Sequence, residues 1–125
     1  MESNELRIGN LVEYDNRIFE IDSVAKEFPT LNTIEFGIGV VDWNNIKPTP
    51  LTEEWLYKFG FIKEGFIDGT YNFFHENMYG NNCLLPTGDG FELLIGNTEI
   101  FYVHQLQNLC FALTGKELEL KKATN

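Results

Sequence analysis

The segment YVHQLQNLCFALTG, from Tyr102 to Gly115, decides the fold class of this chain. Its apolar residues recur at intervals of three and four, which is the spacing of one face of an α-helix. The residues of this face are Leu106, Leu109, Cys110 and Leu113. We expect a helix over Val103–Thr114 that ends at Gly115, because glycine readily takes the left-handed conformation that closes a helix. His104 falls at the start of this helix.

The strands before this helix form a second regular pattern. Gly96-Asn97 is a strong two-residue hairpin turn, and it joins the strand candidates Phe91–Ile95 and Thr98–Tyr102. The apolar face of this hairpin consists of Phe91, Leu93, Ile95, Ile100 and Tyr102. Further strand candidates are Phe61–Lys63, Thr70–Glu76, Asn82–Leu85 and an edge strand at Leu118–Leu120. We therefore expect an antiparallel sheet that is packed by the C-terminal helix.

The first part of the chain predicts a smaller antiparallel sheet. Leu11–Tyr14 and Arg17–Ile21 are joined by Asp15-Asn16, and this pattern is typical of a β-hairpin. Its apolar face consists of Val12, Tyr14, Phe19 and Ile21. A further strand pair is expected at Thr33–Phe36 and Gly39–Trp43. The strand spacing predicts a small, curved sheet that is compatible with an SH3-like barrel, although likeness of fold gives no function.

A proline-rich connector separates the two sheets. Lys47-Pro48-Thr49-Pro50 removes two backbone donors in four residues, which interrupts regular structure. Thr52 is placed to cap a short helix that carries Glu53 and Glu54 in its first turn and stops at Gly60. We therefore predict an α+β fold.

The domain organisation follows from the length of the chain and from this connector. A chain of 125 residues is the size of one domain and can bury a substantial core. We predict a single domain over residues 1–125, which comprises an N-terminal β subdomain over residues 1–47 and an α+β subdomain over residues 51–120.

The negative charge of the chain disfavours anionic binding partners. The formal net charge is −10, and no Lys or Arg occurs between Lys63 and Lys116. An acidic field opposes binding to nucleic-acid phosphates and to anionic membrane surfaces. The N-terminus lacks the pattern of a signal peptide, and no apolar run approaches the ~20 residues that span a bilayer. We expect a cytoplasmic protein that binds neither nucleic acid nor membrane.

Three phrases of the sequence look familiar. They are LRIGNLV from Leu6, PLTEEWLYKFGF from Pro50 and YVHQLQNL from Tyr102. Together they resemble small uncharacterised proteins that occur in phages, prophages and mobile elements of Bacteroidetes bacteria. The resemblance covers about half of the chain and leaves residues 64–90 unmatched. The resemblance implies a phage or mobile-element protein that acts in a bacterial host cell, and it supplies no catalytic residues.

The sequence contains no recognisable catalytic or metal-binding pattern. The only histidines and cysteines are His75, His104, Cys83 and Cys110. No two of them have the close spacing of a zinc module. Glu92 and Glu99 can share one face of the final hairpin, as paired acids require, but a partner-facing surface explains them equally well. We predict no catalytic residue, no metal and no cofactor.

Aromatic side chains gather in the segment from Tyr71 to Tyr79. Strand alternation sends one face into the core and leaves Tyr71 or Phe74 near the surface. Exposed aromatics beside carboxylates suit protein recognition, although aromatic strands more often pack in a core. The predicted partner-binding residues are Tyr71, Phe74, Glu76, Tyr79, Glu92 and Glu99.

Several functions are compatible with these features. The leading hypothesis is a non-catalytic acidic protein of phage or mobile-element origin that binds a host or phage protein. One alternative is a small-molecule or nucleotide-sequestering protein with a pocket lined by Tyr71, Phe74 or Trp43. Another is a weak hydrolase centred on His75 or His104. A structural component of a virion is also compatible with the sequence.

Overall fold

The computed structural model of the protein describes residues 6–24, 29–33, 37–40, 43–78, 83–94 and 98–121. The chain divides into two compact units, Met1–Pro50 and Leu51–Asn125. The division falls at the end of the predicted proline connector. The two units together make an α+β fold, as predicted, with an antiparallel sheet in each unit and a C-terminal helix in the second.

The N-terminal unit is built on a four-stranded antiparallel sheet with its strands in sequence order. The strands are β1 (Leu11–Tyr14), β2 (Arg17–Val24), β3 (Pro29–Thr33) and β4 (Gly37–Val40), and a short 3-10 helix follows at Trp43–Asn45. Tyr14 lies opposite Arg17, and the φ angles of Asp15 and Asn16 are 51° and 62°. Positive φ at both turn residues fits the hairpin turn that matches strand twist, so the first hairpin is confirmed.

One face of this hairpin forms the core of the N-terminal unit. Val12 and Ile21 are fully buried in a cluster with Leu6 and Ile46. The rings of Tyr14 and Phe19 pack edge to face, 5.9 Å between centroids, against the same cluster. The predicted apolar face is therefore confirmed, and its burial is the main source of hydrophobic stabilisation that the structure describes in this unit.

The second strand pair of this unit lies earlier in the chain than the sequence predicted. The prediction placed strands at Thr33–Phe36 and Gly39–Trp43, whereas the described strand residues already include Pro29 in β3 and Gly37 in β4, and Trp43 belongs to the 3-10 helix. The reason is that β2 continues beyond Ile21 to Val24, so its partner strand is already paired at Pro29. Residues 34–36 and 41–42 lie outside the described part of the chain.

The possible SH3-like barrel is not formed by the described residues. The strand order β1-β2-β3-β4 is that of an open sheet. At the outer edge of β1, Glu13 and Lys47 form a β-bridge. Its two backbone N···O distances are 2.9 and 2.8 Å. One bridge ties the connector to the sheet but does not close the sheet on itself.

The second unit begins with the predicted short helix α1 (Glu53–Lys58). The Trp55 backbone N–H donates to Thr52 Oγ1 at 3.3 Å, which confirms the predicted cap. Glu53 and Glu54 lie in the first turn, and Gly60 has the positive φ of 90° expected after the last turn. Leu51 and Leu56 flank the cap as a hydrophobic staple requires, and both are buried.

A five-stranded antiparallel sheet follows α1, again with its strands in sequence order. The strands are β5 (Ile62–Gly65), β6 (Tyr71–Phe74), β7 (Leu84–Pro86), β8 (Phe91–Leu93) and β9 (Thr98–Ile100). Each overlaps its predicted segment. Phe91 lies opposite Ile100, whereas a two-residue turn at Gly96-Asn97 would place Phe91 opposite Tyr102, so the predicted register is wrong by two residues while each side chain keeps its predicted face. The predicted turn at Gly96-Asn97 lies outside the described residues, together with Ile95.

One face of this sheet forms the core of the second unit, and we call it the covered face. Its buried side chains are Phe73, Leu84, Phe91, Leu93 and Ile100. Phe73 lies opposite Leu84, and Leu84 lies opposite Leu93, so these side chains form one row across the sheet. The Phe73 ring packs edge to face on Phe91, with centroids 5.7 Å apart. The short helix α1 packs on this side through Tyr57, whose ring centroid lies 6.1 Å from that of Phe73.

The C-terminal helix α2 spans Val103–Thr114 and ends at Gly115 with φ 73°, as predicted. Its buried residues are Val103, His104, Leu106, Gln107 and Cys110. The predicted face is therefore only partly right, because Leu109 is half-buried and Leu113 is 45% exposed. Gln105 Oε1 accepts hydrogen bonds from the backbone N–H groups of Phe101 and Tyr102, at 2.9 and 3.1 Å, and this cap sets the rotation at which the helix enters the core.

The chain after α2 is irregular, and the edge strand predicted at Leu118–Leu120 is not formed. Leu118 is buried, and the Lys121 backbone N–H donates to the Lys58 carbonyl at 2.6 Å. A single backbone bond and one buried side chain hold this segment against the end of α1. A strand would need a repeated ladder of such bonds.

Candidate functional site

The opposite face of the five-stranded sheet carries polar and apolar side chains at the surface, and we call it the open face. Strand alternation puts Asn72 and Phe74 on this side, because Phe73 between them points to the covered face. The register of the neighbouring strands then gives its members: Ile62, Glu64, Asn72, Phe74, Leu85, Glu92, Leu94 and Glu99. None of these side chains is cationic.

The carboxylates of the open face lie along one line across the sheet, which we call the acidic row. Glu64 lies opposite Asn72, and Glu92 lies opposite both Leu85 and Glu99. Like charges directly opposite on neighbouring strands are unfavourable by roughly 0.2–1 kcal/mol. The Glu92–Glu99 pair is therefore a place where the free protein gains from a cation supplied from outside.

An apolar row runs beside the acidic row. Ile62 lies opposite Phe74 on the neighbouring strand, and the Leu94 backbone N–H donates to the Cys83 carbonyl at 3.0 Å. Ile62 is 63% exposed, Leu94 is 42% exposed and Phe74 is half-buried. The open face thus offers apolar area for contact next to carboxylates that are ready to pair, which is the composition of a protein-binding surface.

Cys83 belongs to the same face but is buried beneath it. Asn72 Nδ2 donates to Cys83 Sγ at 3.7 Å, and only 2% of the cysteine is exposed. Burial raises the pKa of the Cys83 thiol, so the thiol stays protonated at neutral pH. Cys110 on α2 is also buried, 3.5 Å from Met78 Sδ, and burial raises its pKa to about 12. Both cysteines are packing residues in this structure.

The predicted partner-binding residues do not all lie on one surface. Phe74, Glu92 and Glu99 come together on the open face. Tyr71 lies on the other side of β6, where its ring packs 5.7 Å from Phe73. Glu76 lies beyond the end of β6 and is exposed, and Tyr79 is outside the described residues.

The single cation of β5 is held away from the open face. Lys63 Nζ lies 3.2 Å from Glu53 Oε1 on α1 and 3.9 Å from the centroid of the Tyr71 ring. The Tyr57 hydroxyl donates to the same Glu53 oxygen at 2.8 Å. This network at the rim of the covered face uses the charge of Lys63, so the acidic row receives no compensation from it.

Sequence reasoning placed Leu94 on the same hairpin face as Glu92 and Glu99 but missed Ile62 and Glu64 as members of the surface. The prediction ended the first strand of this sheet at Lys63, whereas β5 continues to Gly65. Two charged residues follow Ile62, so apolar and polar positions do not alternate clearly enough to extend the strand.

His75 is a structural residue rather than a free base. Its Nε2 lies 3.0 Å from the Phe59 carbonyl, and its Nδ1 accepts from the Asn77 backbone N–H at 3.1 Å. Because a carbonyl can only accept, Nε2 carries the proton and Nδ1 supplies its lone pair to Asn77. The two hydrogen bonds of the ring therefore link the end of α1 to the segment after β6. Neither nitrogen is left to activate a nucleophile.

His104 is buried more deeply than His75. It is 2% exposed, and its ring is stacked on Tyr102 with centroids 5.9 Å apart and an interplanar angle of 10°. A histidine in this position cannot reach a substrate outside the protein unless the start of α2 moves. Both residues proposed for a hydrolase are thus engaged in packing.

A groove of about 750 Å³ lies near His75. Its charged lining residues are Glu76, Lys116, Glu117, Glu119 and Lys121. Three carboxylates and two lysines share this lining, so the groove has no strong preference for an anion or a cation. Tyr71 and Phe74, two of the aromatic residues suggested for a ligand pocket, lie on opposite faces of β6 and so do not line one pocket together.

The described residues provide no metal site and no membrane-spanning helix, and comparison with known proteins adds no functional assignment. Among the described residues no group of three or more His, Cys, Asp or Glu is arranged to hold a metal ion. No helix in the described ranges has both the length and the apolar character needed to cross a membrane. No protein-family model, curated protein or solved structure matches this chain.

Proposed function

We propose that this chain is a non-catalytic binding protein that engages a host or phage protein through the open face of its five-stranded sheet. The observation that carries the proposal is the pairing of an acidic row with an exposed apolar row on one sheet face. Partner-binding roles are assigned to Phe74, Glu92 and Glu99 and extended to Ile62, Glu64 and Leu94. Origin in a phage or mobile element and a cytoplasmic setting are parts of the same proposal, supported by the sequence resemblance and the composition.

Electrostatics supports a partner of positive charge. The Glu92–Glu99 pair, and Glu64 at the other end of the same row, bear like charges without a cation on the same face. Complementary charge on the partner removes this repulsion on binding, accelerates encounter and rejects acidic competitors. The apolar row then supplies contact area whose burial contributes about 25 cal/mol per Å² before the cost of association.

The state of the histidines and cysteines supports a binding role over a catalytic one. His75 uses both ring nitrogens for backbone groups, and His104 is buried. The thiols of Cys83 and Cys110 are buried, with raised pKa values. A nucleophile with an adjacent general base, the minimum for covalent hydrolysis, is not assembled from these residues.

A charge-reversal experiment tests the proposal. The tagged protein and its Glu92→Lys/Glu99→Lys variant are used to capture proteins from a Bacteroidetes lysate, with quantitative mass spectrometry of what is bound. The matched control is Glu20→Lys/Glu119→Lys, which makes the same change of charge at exposed positions outside the open face. We expect a protein that is retained by the wild type and the control and is lost with the open-face variant. Equal retention by all three proteins would contradict the proposal.

A further inference from the structure

The hairpin that joins β5 and β6 places two large apolar side chains at its tip. Phe66 is 47% exposed, and Ile67 is fully exposed. Tight hairpin loops ordinarily carry Gly, Asn, Asp or Ser, and an exposed large apolar side chain at a tip has no role in the fold. The sequence prediction left this loop without a function.

The tip is an ordered turn. The Phe66 N–H donates to the Thr70 carbonyl at 2.8 Å, and the Gly69 N–H donates to the Phe66 carbonyl at 3.0 Å. Asp68 Oδ1 accepts from both the backbone N–H and the hydroxyl of Thr70, at 3.0 and 2.6 Å. Gly69 has φ 87°, the conformation that closes a three-residue hairpin loop. Because the backbone of the loop is already fixed, binding through the tip does not add the entropic cost of ordering a loop.

The tip continues the open face. Ile62 and Glu64 point to this face from β5, and Phe66 follows them in the same alternation while pairing with Thr70. The acidic row therefore lies between the apolar row of the sheet and the hairpin tip, so apolar side chains flank the carboxylates on both sides. Aromatic and aliphatic anchors that become buried on binding dominate the energetics of protein interfaces.

The surroundings of the tip are acidic. Glu64 and Asp68 flank Phe66 and Ile67. The hydrogen bonds from Thr70 hold the pKa of Asp68 below its usual value, so this carboxylate stays ionised. Lys63, the nearest cation in sequence, is engaged by Glu53 on the other side of the sheet. A second copy of this acidic chain and an anionic membrane are both opposed by this charge, whereas a basic protein is attracted.

We propose that the Phe66–Ile67 tip is the anchor of the interface and inserts into an apolar pocket with a Lys- and Arg-bearing rim on the partner protein. This inference rests on the proposed function and adds to it the part of the surface that dominates affinity and the chemistry of the partner site. The open face supplies charge complementarity and orientation, and the tip supplies the buried apolar contact.

The test places a photo-cross-linking residue, p-benzoylphenylalanine, at position 67 of the tagged protein in a Bacteroidetes lysate. The matched control carries the same residue at position 18, another exposed isoleucine, which lies on the N-terminal hairpin. We expect a cross-link from position 67 to one protein, at an apolar site with neighbouring Lys or Arg, and none to that protein from position 18. The variant Ile67→Ser should weaken its binding by about tenfold or more, whereas Ile18→Ser should change it by less than about twofold.

The possible negative results distinguish a failure of this inference from a failure of the proposed function. If Ile67→Ser keeps the affinity of the wild type while Glu92→Lys/Glu99→Lys loses it, the open face is the binding surface and the tip is not its anchor. If the wild type captures no protein, the proposed function and this inference fail together. Cross-linked dimers of this chain, or co-sedimentation with phosphatidylglycerol vesicles that Ile67→Ser abolishes, would overturn the basic protein pocket as the occupant of the tip.

Discussion

The covered and open faces of the five-stranded sheet come from the same strands and differ in every physical property that matters here. On the covered face, Phe73 and Leu84 are fully buried in a continuous apolar row. On the open face, Glu92 faces Glu99, and Ile62 is largely exposed. A single residue of shift along a strand moves a side chain from one environment to the other. The difference teaches that the covered face is composed for stability, while the open face retains a repulsive pair and exposed apolar area that stability does not require.

The largest expected difference in the free energy of unfolding lies between alanine variants of Phe73 and Phe74. Phe73 is fully buried and packs on Tyr57, Tyr71 and Phe91, with centroids 5.7–6.1 Å away. Phe73→Ala should lower the free energy of unfolding by about 3–5 kcal/mol. Phe74→Ala removes the same side chain from the half-buried open side and should cost less than half of that. Urea denaturation of the two variants gives the comparison, and equal losses would mean that the open face is part of the core.

Gly90 gives a sharper test of packing between β8 and β9. A Cβ atom at this position would lie 2.6 Å from the Ile100 carbonyl oxygen, a backbone atom that cannot move alone. Gly90→Ala should therefore destabilise the protein by about 1–3 kcal/mol, the usual range for overpacking. The matched control is Gly88→Ala, whose Cβ meets no atom within 4 Å. Thermal unfolding should separate the two variants, and a neutral Gly90→Ala would show that the described register of this hairpin is incorrect.

On the open face, removing a charge should stabilise the fold while weakening recognition. Glu99→Gln relieves the repulsion from Glu92 and should raise the free energy of unfolding by roughly 0.2–1 kcal/mol, an effect that shrinks in 0.5–1 M salt. The same variant should bind the partner less tightly. Denaturation curves at low and high salt measure the first effect. A loss of stability would indicate that Glu99 has a structural partner instead of a role in binding.

The smallest effect concerns the rim of the covered face. The hydrogen bond from Tyr57, and after it the one from Lys63, lowers the pKa of Glu53 below its usual 4.5. Because the folded-state pKa is depressed, the contribution of Glu53 to stability is present above its ordinary pKa and is lost as the pH falls through the lower, folded-state value. Tyr57→Phe should move the pKa of Glu53 back up in a carboxyl NMR titration, with little change in stability because the pair is exposed. An unchanged pKa would show that the hydrogen bond does not persist in solution.

The parts of the fold that follow from local chemistry could be predicted from the sequence. Asp15-Asn16 determines a hairpin turn, Thr52 caps a helix, and the spacing before Gly115 gives both bounds of α2. The exposure of Leu113 could not be predicted from spacing alone, because several rotations of one helix present an apolar stripe. The helix cap made by Gln105 and the packing of Val103 select among them.

The candidate site shows the same limit. The sequence predicted that Glu92 and Glu99 share a face, and they do, although the observed register differs by two residues from that of a two-residue turn at Gly96-Asn97. A shift of two residues leaves every side chain on its face. It left open whether Tyr71 or Phe74 reaches the surface, since alternation fixes which residues share a side but not which side is covered. The position of Phe73 against α1 and β8 resolves this, and that position depends on contacts far apart in the chain. The role proposed for the tip at Ile67 could not be predicted from the sequence, because it depends on the ordered turn that the folded hairpin forms.

The measurement that tests the central claim most directly is methyl-detected NMR of the labelled protein in an unlabelled Bacteroidetes lysate. The methyl groups of Ile62 and Leu94 report on the open face, and those of Leu84 and Leu93 report on the covered face. The account predicts that the signals of Ile62 and Leu94 shift or broaden in lysate, that those of Leu84 and Leu93 stay in place, and that Glu92→Lys/Glu99→Lys removes the change. Unperturbed Ile62 and Leu94 signals, or changes confined to residues of the groove such as Leu120, would contradict the assignment of the open face as the binding surface.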